Sequence, residues 1–163
     1  MKLELYDIKW KERFAGEKAS LMIILGDEAI DIEHIGSTAI PGIHSKPIID
    51  IAVLIRSFKI AKDFIPALRK AGYKYSEKRS SFERYFFSKG DPAKFHLSLA
   101  NPDTLYVKRQ IAFRDYLNNH PEKAKEYENL KSDLIKKYPS GRDEYSYGKS
   151  EFINTILKEV IGC

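Results

Sequence analysis

The sequence is nearly free of cysteine. Its 163 residues contain one, Cys163, and a single cysteine cannot form a disulfide within the chain. No apolar run approaches the roughly 20 residues that a membrane-spanning helix needs. The first ten residues, MKLELYDIKW, include acidic side chains and lack the apolar core of a secretory signal. We therefore predict a cytoplasmic protein that has no membrane partner.

Several short catalytic and metal-binding motifs are also missing. The sequence has no Cys/His cluster of zinc-binding spacing, no Gly-x-x-x-x-Gly-Lys-Ser/Thr loop and no dinucleotide-binding Gly-x-Gly-x-x-Gly. Gly36-Ser37-Thr38 lacks the second flanking glycine of an acyl-transfer nucleophile elbow. These absences argue against a zinc module, a P-loop enzyme, a Rossmann oxidoreductase and a serine hydrolase.

The charge is moderately positive and evenly spread. The chain carries 28 Lys and Arg against 23 Asp and Glu, a formal net charge of +5. Such a balance favours anionic small ligands such as nucleotides. No run of five or more basic residues occurs, so the sequence gives no strong signal for nucleic-acid binding.

Hydrophobic spacing predicts one domain over residues 1–163, with a helix, a mixed sheet and a C-terminal helical segment. Strands are expected at Ala29–Ile35, Pro47–Ile55, Tyr73–Tyr75, Phe82–Ser88 and Lys94–Ala100, the last two forming an antiparallel hairpin. Helices are expected at Ile8–Leu25, Phe58–Ala71, Pro102–Asn119, Pro121–Tyr138 and Tyr147–Ile161. Pro66 lies inside the second of these, so that helix either kinks or begins there. The fold class is α/β or α+β, with helices on the sheet.

The stretch Ile32–Leu54 contains the strongest candidate site. A strand leads into Gly36-Ser37-Thr38, and the next strand is almost wholly apolar except for Asp50. A buried, unpaired carboxylate is costly, so Asp50 needs a partner, a metal or an open strand end. Glycine permits close approach of a ligand, Ser37 or Thr38 can cap a short helix, and Lys46 adds a positive charge. Two interpretations stay open: a phosphate cradle facing a metal-binding carboxylate, or a capped turn beside a satisfied core Asp.

The stretch HIGSTAIPGIHSKPIIDIAV resembles the signature of the GrpB family. The resemblance continues through the segments ERYFFSKG, FHLSL, FRDYLNNHPEKAKEYENLK and YSYGKSEFI, which together cover nearly the whole chain. The family in turn resembles the nucleotidyltransferase superfamily. The resemblance therefore implies a nucleotidyltransferase-like mixed sheet flanked by helices.

The superfamily pattern also implies site residues. It pairs a Gly-Ser turn with a later strand that carries Asp-x-Asp or Asp-x-Glu, whose carboxylates hold Mg²⁺. Gly36-Ser37 and Asp50 match this pattern, but the second acid is replaced by Ala52. The resemblance also points to the Phe95–Leu99 segment, where the family often has His-x-His and this chain has His96 and Ser98. Two-metal chemistry would then need a substitute ligand, for which Glu33 and His96 are the candidates.

Four further side chains each have a functional and a structural interpretation. His96 either binds a metal or acts as a base, or it is a half-buried structural residue. His34 either orients Asp50 or contacts the ligand, or it supports the strand. Arg84 suits bidentate binding of phosphate, or it pairs across the sheet. Lys149, beside Gly148, either reaches an anion or is a solvated surface lysine.

Three functions follow as hypotheses. The first is a nucleotidyltransferase-like protein that binds a nucleotide or other phosphate ester with Mg²⁺ or Mn²⁺, and whose acceptor is unknown. Gly36, Ser37 and Thr38 would hold phosphate, Lys46 and Arg84 would neutralise charge, and Asp50 with His96 would hold the metal. The second is a catalytically degenerate binding module or partner protein, marked by the missing second acid. The third is a hydrolase or ligase-like enzyme with His96 as base.

Overall fold

The structure is a computed structural model, and it describes residues 2–162. The helices are α1 (Lys9–Leu25), α2 (Ile65–Lys70), α3 (Tyr106–Asn119), α4 (Pro121–Lys137) and α5 (Arg142–Ile161). The strands are β1 (Ala29–Ile35), β2 (Ile49–Ile55), β3 (Tyr73–Ser76), β4 (Arg84–Lys89) and β5 (Phe95–Ala100). Short 3₁₀ helices occur at Gly26–Glu28, Ser37–Ala39 and Phe58–Phe64.

The five strands form one mixed sheet in the order β1-β2-β5-β4-β3. Strand β2 is antiparallel to β1 and parallel to β5, and β4 is antiparallel to both β5 and β3. The predicted β4–β5 hairpin and the mixed sheet with flanking helices are confirmed. The parallel pair matters most for the site, because its register sets Asp50 directly beside His96.

One face of the sheet holds the main hydrophobic core. Side chains that alternate along β2 and β5 point to this face and pack against α1 and the Phe58–Lys70 segment. The core includes Trp10, Leu21, Ile51, Val53, Leu68, Leu97 and Leu99, all 2% exposed or less. Since the remaining residues of β2 and β5 point to the opposite face, Asp50, His96 and Ser98 lie together there.

The C-terminal helices cover that second face. Helices α3, α4 and α5 contact one another, and α3 also contacts β1 and β2. Their shared core contains Phe113, Tyr127 and Phe152, whose ring centroids lie 5.2–6.5 Å apart. The segment after the Ser37–Ala39 turn joins this core through Ile40 and Ile43. The helices and the sheet thereby enclose a cleft, and Asp50 lines it.

Some predicted element boundaries are wrong. The Phe58–Ala71 helix is divided, and its α-helical part begins at Ile65 with Pro66 in the first turn, where its missing N–H is tolerated. Helix α3 begins at Tyr106, after a turn in which the side chain of Asn101 accepts a hydrogen bond from the Asp103 amide at 3.0 Å. Helix α5 begins at Arg142, five residues before the predicted start at Tyr147.

No helix within residues 2–162 is long and apolar enough to cross a membrane.

Candidate functional site: a cationic cleft around Asp50

Asp50 lies at the centre of the cleft, near the start of β2. Across the sheet it is opposite Ile35 of β1 and beside His96 of β5. Its Oδ1 is 3.2 Å from Nδ1 of His96, and its side chain is 35% exposed. Asp50 therefore meets the expectation for an acid in an apolar strand, since it has a partner and faces the cleft.

Position 36 requires glycine because its backbone lies against the carboxylate of Asp50. Its φ is +74°, and an added Cβ would lie 3.1 Å from Cγ of Asp50 and closer still to Oδ2. Any other residue would therefore combine backbone strain with displacement of the carboxylate. The turn that follows is a single 3₁₀ turn, Ser37–Ala39, with Gly36 at its N-cap. The prediction that Ser37 or Thr38 caps this turn is wrong, because no side chain makes a cap hydrogen bond there.

His34 lies on the core face of β1, stacked on Phe14 at 4.9 Å between ring centroids. Burial lowers its pKa to about 4; the charge of Asp50 acts in the opposite direction, and Arg114 and Lys11 act with burial. That His34 orients Asp50 or contacts a ligand stays a prediction. Its Nε2 lies 2.9 Å from the hydroxyl of Thr38, and that hydroxyl donates to the Ile48 carbonyl. His34 thus supports the turn after Gly36 from the core side of the sheet. Successive strand residues point to opposite faces, so His34 points away from the face that carries Asp50.

The cleft has two lobes that meet at Asp50. We call the smaller, of about 240 Å³, the cation lobe, since Lys46, Arg79, Lys131, Arg142 and Lys149 line it. The larger, of about 610 Å³, is the mixed lobe, lined by Arg84, Tyr106, Gln110, Phe113 and Asn154 among others. Ser37, Asp50, His96 and Lys149 border both lobes. Gly36 borders the mixed lobe, whereas Thr38 and Lys46 border the cation lobe.

The cation lobe crowds positive charges together. Burial, with repulsion from Lys149 and Arg142, lowers the pKa of Lys46 to about 8. Burial lowers the pKa of Lys131 to about 7, Lys149 and Lys46 act in the same direction, and Glu128 opposes them. The pKa values of Arg79 and Lys149 are also lowered, chiefly by burial.

Aromatic rings lie against some of these charges. The ring of Tyr145 has Nζ of Lys46 at 4.0 Å and Nζ of Lys149 at 4.5 Å from its centroid. The ring of Phe86, which is 2% exposed, lies 3.9 Å from the guanidinium of Arg79 and 4.8 Å from that of Arg84. Such cation–π contacts stabilise cations that have no carboxylate partner. Asp50 is the only carboxylate among the described residues that line either lobe.

The residues around Asp50 do not fit a two-metal centre. Within residues 2–162, no group of three or more His, Cys, Asp or Glu side chains is placed to hold a metal ion. Glu33, one of the two predicted substitutes, is instead paired with Arg114 at 2.8 Å. One divalent cation is compatible with the site, because Mg²⁺ is commonly held by one or two protein ligands together with substrate phosphates. Asp50 and His96 are the residues that would hold it.

Ala52 occupies the second acidic position of the superfamily pattern, and it is fully buried. It belongs to an apolar cluster with Ile35, Ala100 and Val107. Helix α3 therefore covers this position with apolar side chains, and the structure provides no hydrated space for a second carboxylate.

Sequence reasoning missed Arg79, Lys131 and Arg142. Arg79 lies in the β3–β4 connection and Lys131 in the middle of α4, so only the fold brings them to Asp50. Arg142 had a detectable signal, because it follows the Pro139-Ser140-Gly141 break as the first residue of α5. A cation at a helix N-terminus is unfavourable for the helix dipole, which favours a role outside the helix.

Comparison with known proteins identifies the family. The family model described as "GrpB protein" matches residues 1–159. The chain belongs to the GrpB family. It is 38% identical over 152 residues to UPF0157 protein YqkA of Bacillus subtilis, covering 93% of this chain but 44% of that protein. It is also 38% identical to the glutamate-rich protein GrpB of Alkalihalophilus pseudofirmus, covering 93% of this chain and 90% of that protein.

Solved structures agree on the fold. The crystal structure of the conserved protein GrpB from Enterococcus faecalis matches with a TM-score of 0.90 at 31% identity, covering 99% of this chain and 98% of that one. Cid1 in complex with its short product ApU matches with a TM-score of 0.58 at 16% identity, covering 90% of this chain and 48% of that one. The GrpB chain described here therefore has a nucleotidyltransferase-like fold.

The close approach at Gly36 predicts the effect of a single methyl group. Gly36→Ala should lower the free energy of unfolding by more than Gly42→Ala, measured by urea denaturation. Gly42 also has a positive φ, +91°, but nothing lies within 4 Å of an added Cβ. Gly42→Ala should therefore show backbone strain alone, about 1–3 kcal/mol. Equal losses in the two variants would contradict the packing of Gly36 on Asp50.

The apolar surroundings of Ala52 predict that restoring the acid harms the fold. Ala52→Asp should lower the free energy of unfolding by about 3 kcal/mol or more, because an unpaired carboxylate would be buried opposite Glu33. Ile30→Asp on the neighbouring strand is the control, since Ile30 is 49% exposed and surface changes are usually within about 0.5 kcal/mol. An Ala52→Asp variant as stable as the wild type would show that the position tolerates a second acid.

Proposed function

We propose that this protein binds a nucleotide, or another phosphate ester, with its polyphosphate in the cation lobe and one divalent cation at Asp50. The observation that supports this most directly is the crowding of five basic side chains around one carboxylate. Bringing like charges together in a partly desolvated cleft is unfavourable, and a polyphosphate would relieve that repulsion. The nucleotidyltransferase-like fold favours a nucleotide over other polyanions.

Four side chains of the cation lobe have a proposed role. Lys46 and Lys149 both contact the ring of Tyr145 and would contact phosphate oxygens directly. Ser37 borders both lobes and would donate its hydroxyl to a phosphate near Asp50. Arg79 would add the planar fork that suits phosphate. The proposed phosphate-binding residues of the cation lobe include Ser37, Thr38, Lys46 and Lys149, whereas Gly36 and Arg84 border the mixed lobe.

The proposed reaction class is nucleotidyl transfer, with Asp50 and His96 as catalytic residues. A bound Mg²⁺ or Mn²⁺ would supply electrostatic stabilisation of the charge that develops on the transferred phosphoryl group. Asp50 would fix the orientation of His96 through the 3.2 Å contact between their side chains. His96 then has one ring nitrogen, Nε2, left for the chemistry. Where Asp50 alone holds the metal, Nε2 would take a proton from an acceptor hydroxyl in the mixed lobe. The acceptor and the cytoplasmic location remain predictions.

A second candidate function is nucleotide binding without transfer. The observation in its favour is the burial of Ala52 in an apolar cluster, which removes the second acid of the superfamily pattern. Under this alternative the cation lobe still binds a polyphosphate. The two candidates differ in whether pyrophosphate is released from a bound nucleoside triphosphate.

The binding proposal predicts a metal-dependent thermal shift. ATP, GTP, CTP or UTP at 100 times its Kd should stabilise the fold by roughly 2.7 kcal/mol, a rise in Tm on the order of 5–10 °C. Asp50→Asn should remove the part of this shift that Mg²⁺ or Mn²⁺ adds over EDTA. Lys46→Gln should weaken nucleotide binding by about tenfold with or without metal, because a charge-assisted hydrogen bond is lost.

The control for these variants is Lys70→Gln, at an exposed position at the end of α2. It changes the net charge as Lys46→Gln does, and it should leave the shift as in the wild type. A metal-dependent shift that survives Asp50→Asn would exclude Asp50 from the site. No shift with any nucleotide, with or without metal, would refute the binding proposal.

The lowered lysine pKa values predict proton uptake on binding. A bound polyphosphate favours protonated lysines, so it raises their pKa values from about 8 for Lys46 and about 7 for Lys131. The protein should therefore take up protons when it binds at a pH near 8, and its affinity should fall as the pH rises through this range. Calorimetry in buffers of different ionisation enthalpy measures the uptake.

Protons that the ligand itself releases or takes up contribute equally to the measured net uptake of every variant. Lys46→Gln should therefore take up fewer protons than the wild type at pH 8, and Lys70→Gln should match the wild type. Equal uptake in Lys46→Gln and the wild type would exclude Lys46 as a group that the ligand protonates.

A further inference from the structure

Arg84 is a basic side chain of the cleft that lies outside the cation lobe. Its Nη1 donates to the hydroxyl of Ser98 at 2.9 Å and to that of Tyr106 at 3.2 Å. Its guanidinium is also 4.8 Å from the ring centroid of Phe86. These contacts fix the orientation of the planar group, but the two hydroxyls are neutral and leave its charge uncompensated.

Two other arginines, on α3, are paired with carboxylates. Arg109 pairs with Glu83, and Arg114 pairs with Glu33 and Asp115. Within residues 2–162, Arg84 makes no ion pair with a carboxylate, although it is half-buried. A guanidinium that is held rigidly, partly desolvated and left without a carboxylate is suited to bind an anionic group of a ligand through two parallel hydrogen bonds.

The rest of the mixed lobe agrees with an anionic or neutral ligand. Lys149 adds positive charge to its wall, the charge of Arg109 is paired with Glu83, and Gln110 and Asn154 add neutral amides. Asp50, at the border with the cation lobe, is the only carboxylate among the described residues that line it. A polycationic acceptor would therefore find a single complementary charge there. The volume of about 610 Å³ suffices for a small molecule.

We propose that the mixed lobe is the acceptor site, and that its acceptor carries a carboxylate or phosphate that Arg84 binds. This inference rests on the proposed function, in which the cation lobe holds the polyphosphate. It adds a substrate class, because it requires two separate anion subsites on either side of Asp50. Arg84 is the specificity-determining residue of the second subsite.

The test loads the cation lobe first with Mg²⁺ and inorganic tripolyphosphate, which has no nucleoside to enter the mixed lobe. Glycerol 3-phosphate, glycerate and glycerol are then added separately as a phosphate, a carboxylate and a neutral probe of similar size. We expect a further rise in Tm with one or both anions and none with glycerol, and the anion that gives it identifies the group bound. Calorimetry under the same conditions gives the affinity.

Arg84→Gln should weaken the binding of that anion by roughly tenfold or more, since a charge-assisted contact is lost, while it retains the tripolyphosphate shift. Arg84→Lys should recover only part of the affinity, because it restores the charge but not the fork. Arg69→Gln, at an exposed position on α2, is the matched control and should behave as the wild type.

Three results would overturn the inference. The first is no second shift in the wild type. The second is a second shift that Arg84→Gln leaves intact. The third is displacement of the anion by ATP but not by tripolyphosphate, which would place the nucleoside in the mixed lobe. Failure of the proposed function looks different, because tripolyphosphate and nucleotides would then give no first shift.

Discussion

The parallel pairing of β2 and β5 is the constraint on which the site depends. Both strands are buried on their core face, and their shared register sets Asp50 beside His96 on the opposite face. A slip of one residue in either strand would turn the polar side chain of that strand into the hydrophobic core and separate Asp50 from His96. The apolar residues that stabilise the sheet, Ile51, Val53, Leu97 and Leu99, therefore also fix the geometry of its polar side.

The local spacing of hydrophobic residues was enough to predict the mixed sheet, the helix periods and the position of Asp50. His96 and Ser98 alternate with buried leucines, and this pattern placed them correctly on the polar face of their strand. The start of α3 was predicted too early, because Pro102 and Asp103 also suit the first turn of a helix, whereas α5 begins before its predicted start. His34 lies on the core face of its strand, stacked on Phe14, and its role towards Asp50 or a ligand stays a prediction.

The cation lobe shows the limit of sequence reasoning most clearly. Lys46 and Lys149 lie near recognisable motifs, whereas Arg79 and Lys131 come from a loop and a helix that only the fold brings to Asp50. Ala52 shows the converse. Its replacement of an acid was visible in the sequence, but the apolar cluster that closes the position was not. The replacement of the acid by alanine therefore belongs to the way α3 packs on the sheet.

Phe86 contacts one arginine from each lobe of the cleft. The centroid of its ring lies 3.9 Å from the guanidinium of Arg79, in the cation lobe, and 4.8 Å from that of Arg84, in the mixed lobe. Both cations contact this one ring, and the positive charge of Arg84 is among the causes that lower the pKa of Arg79. The two lobes are therefore not independent modules, because a substitution of Phe86 would remove a contact of both guanidinium groups at once.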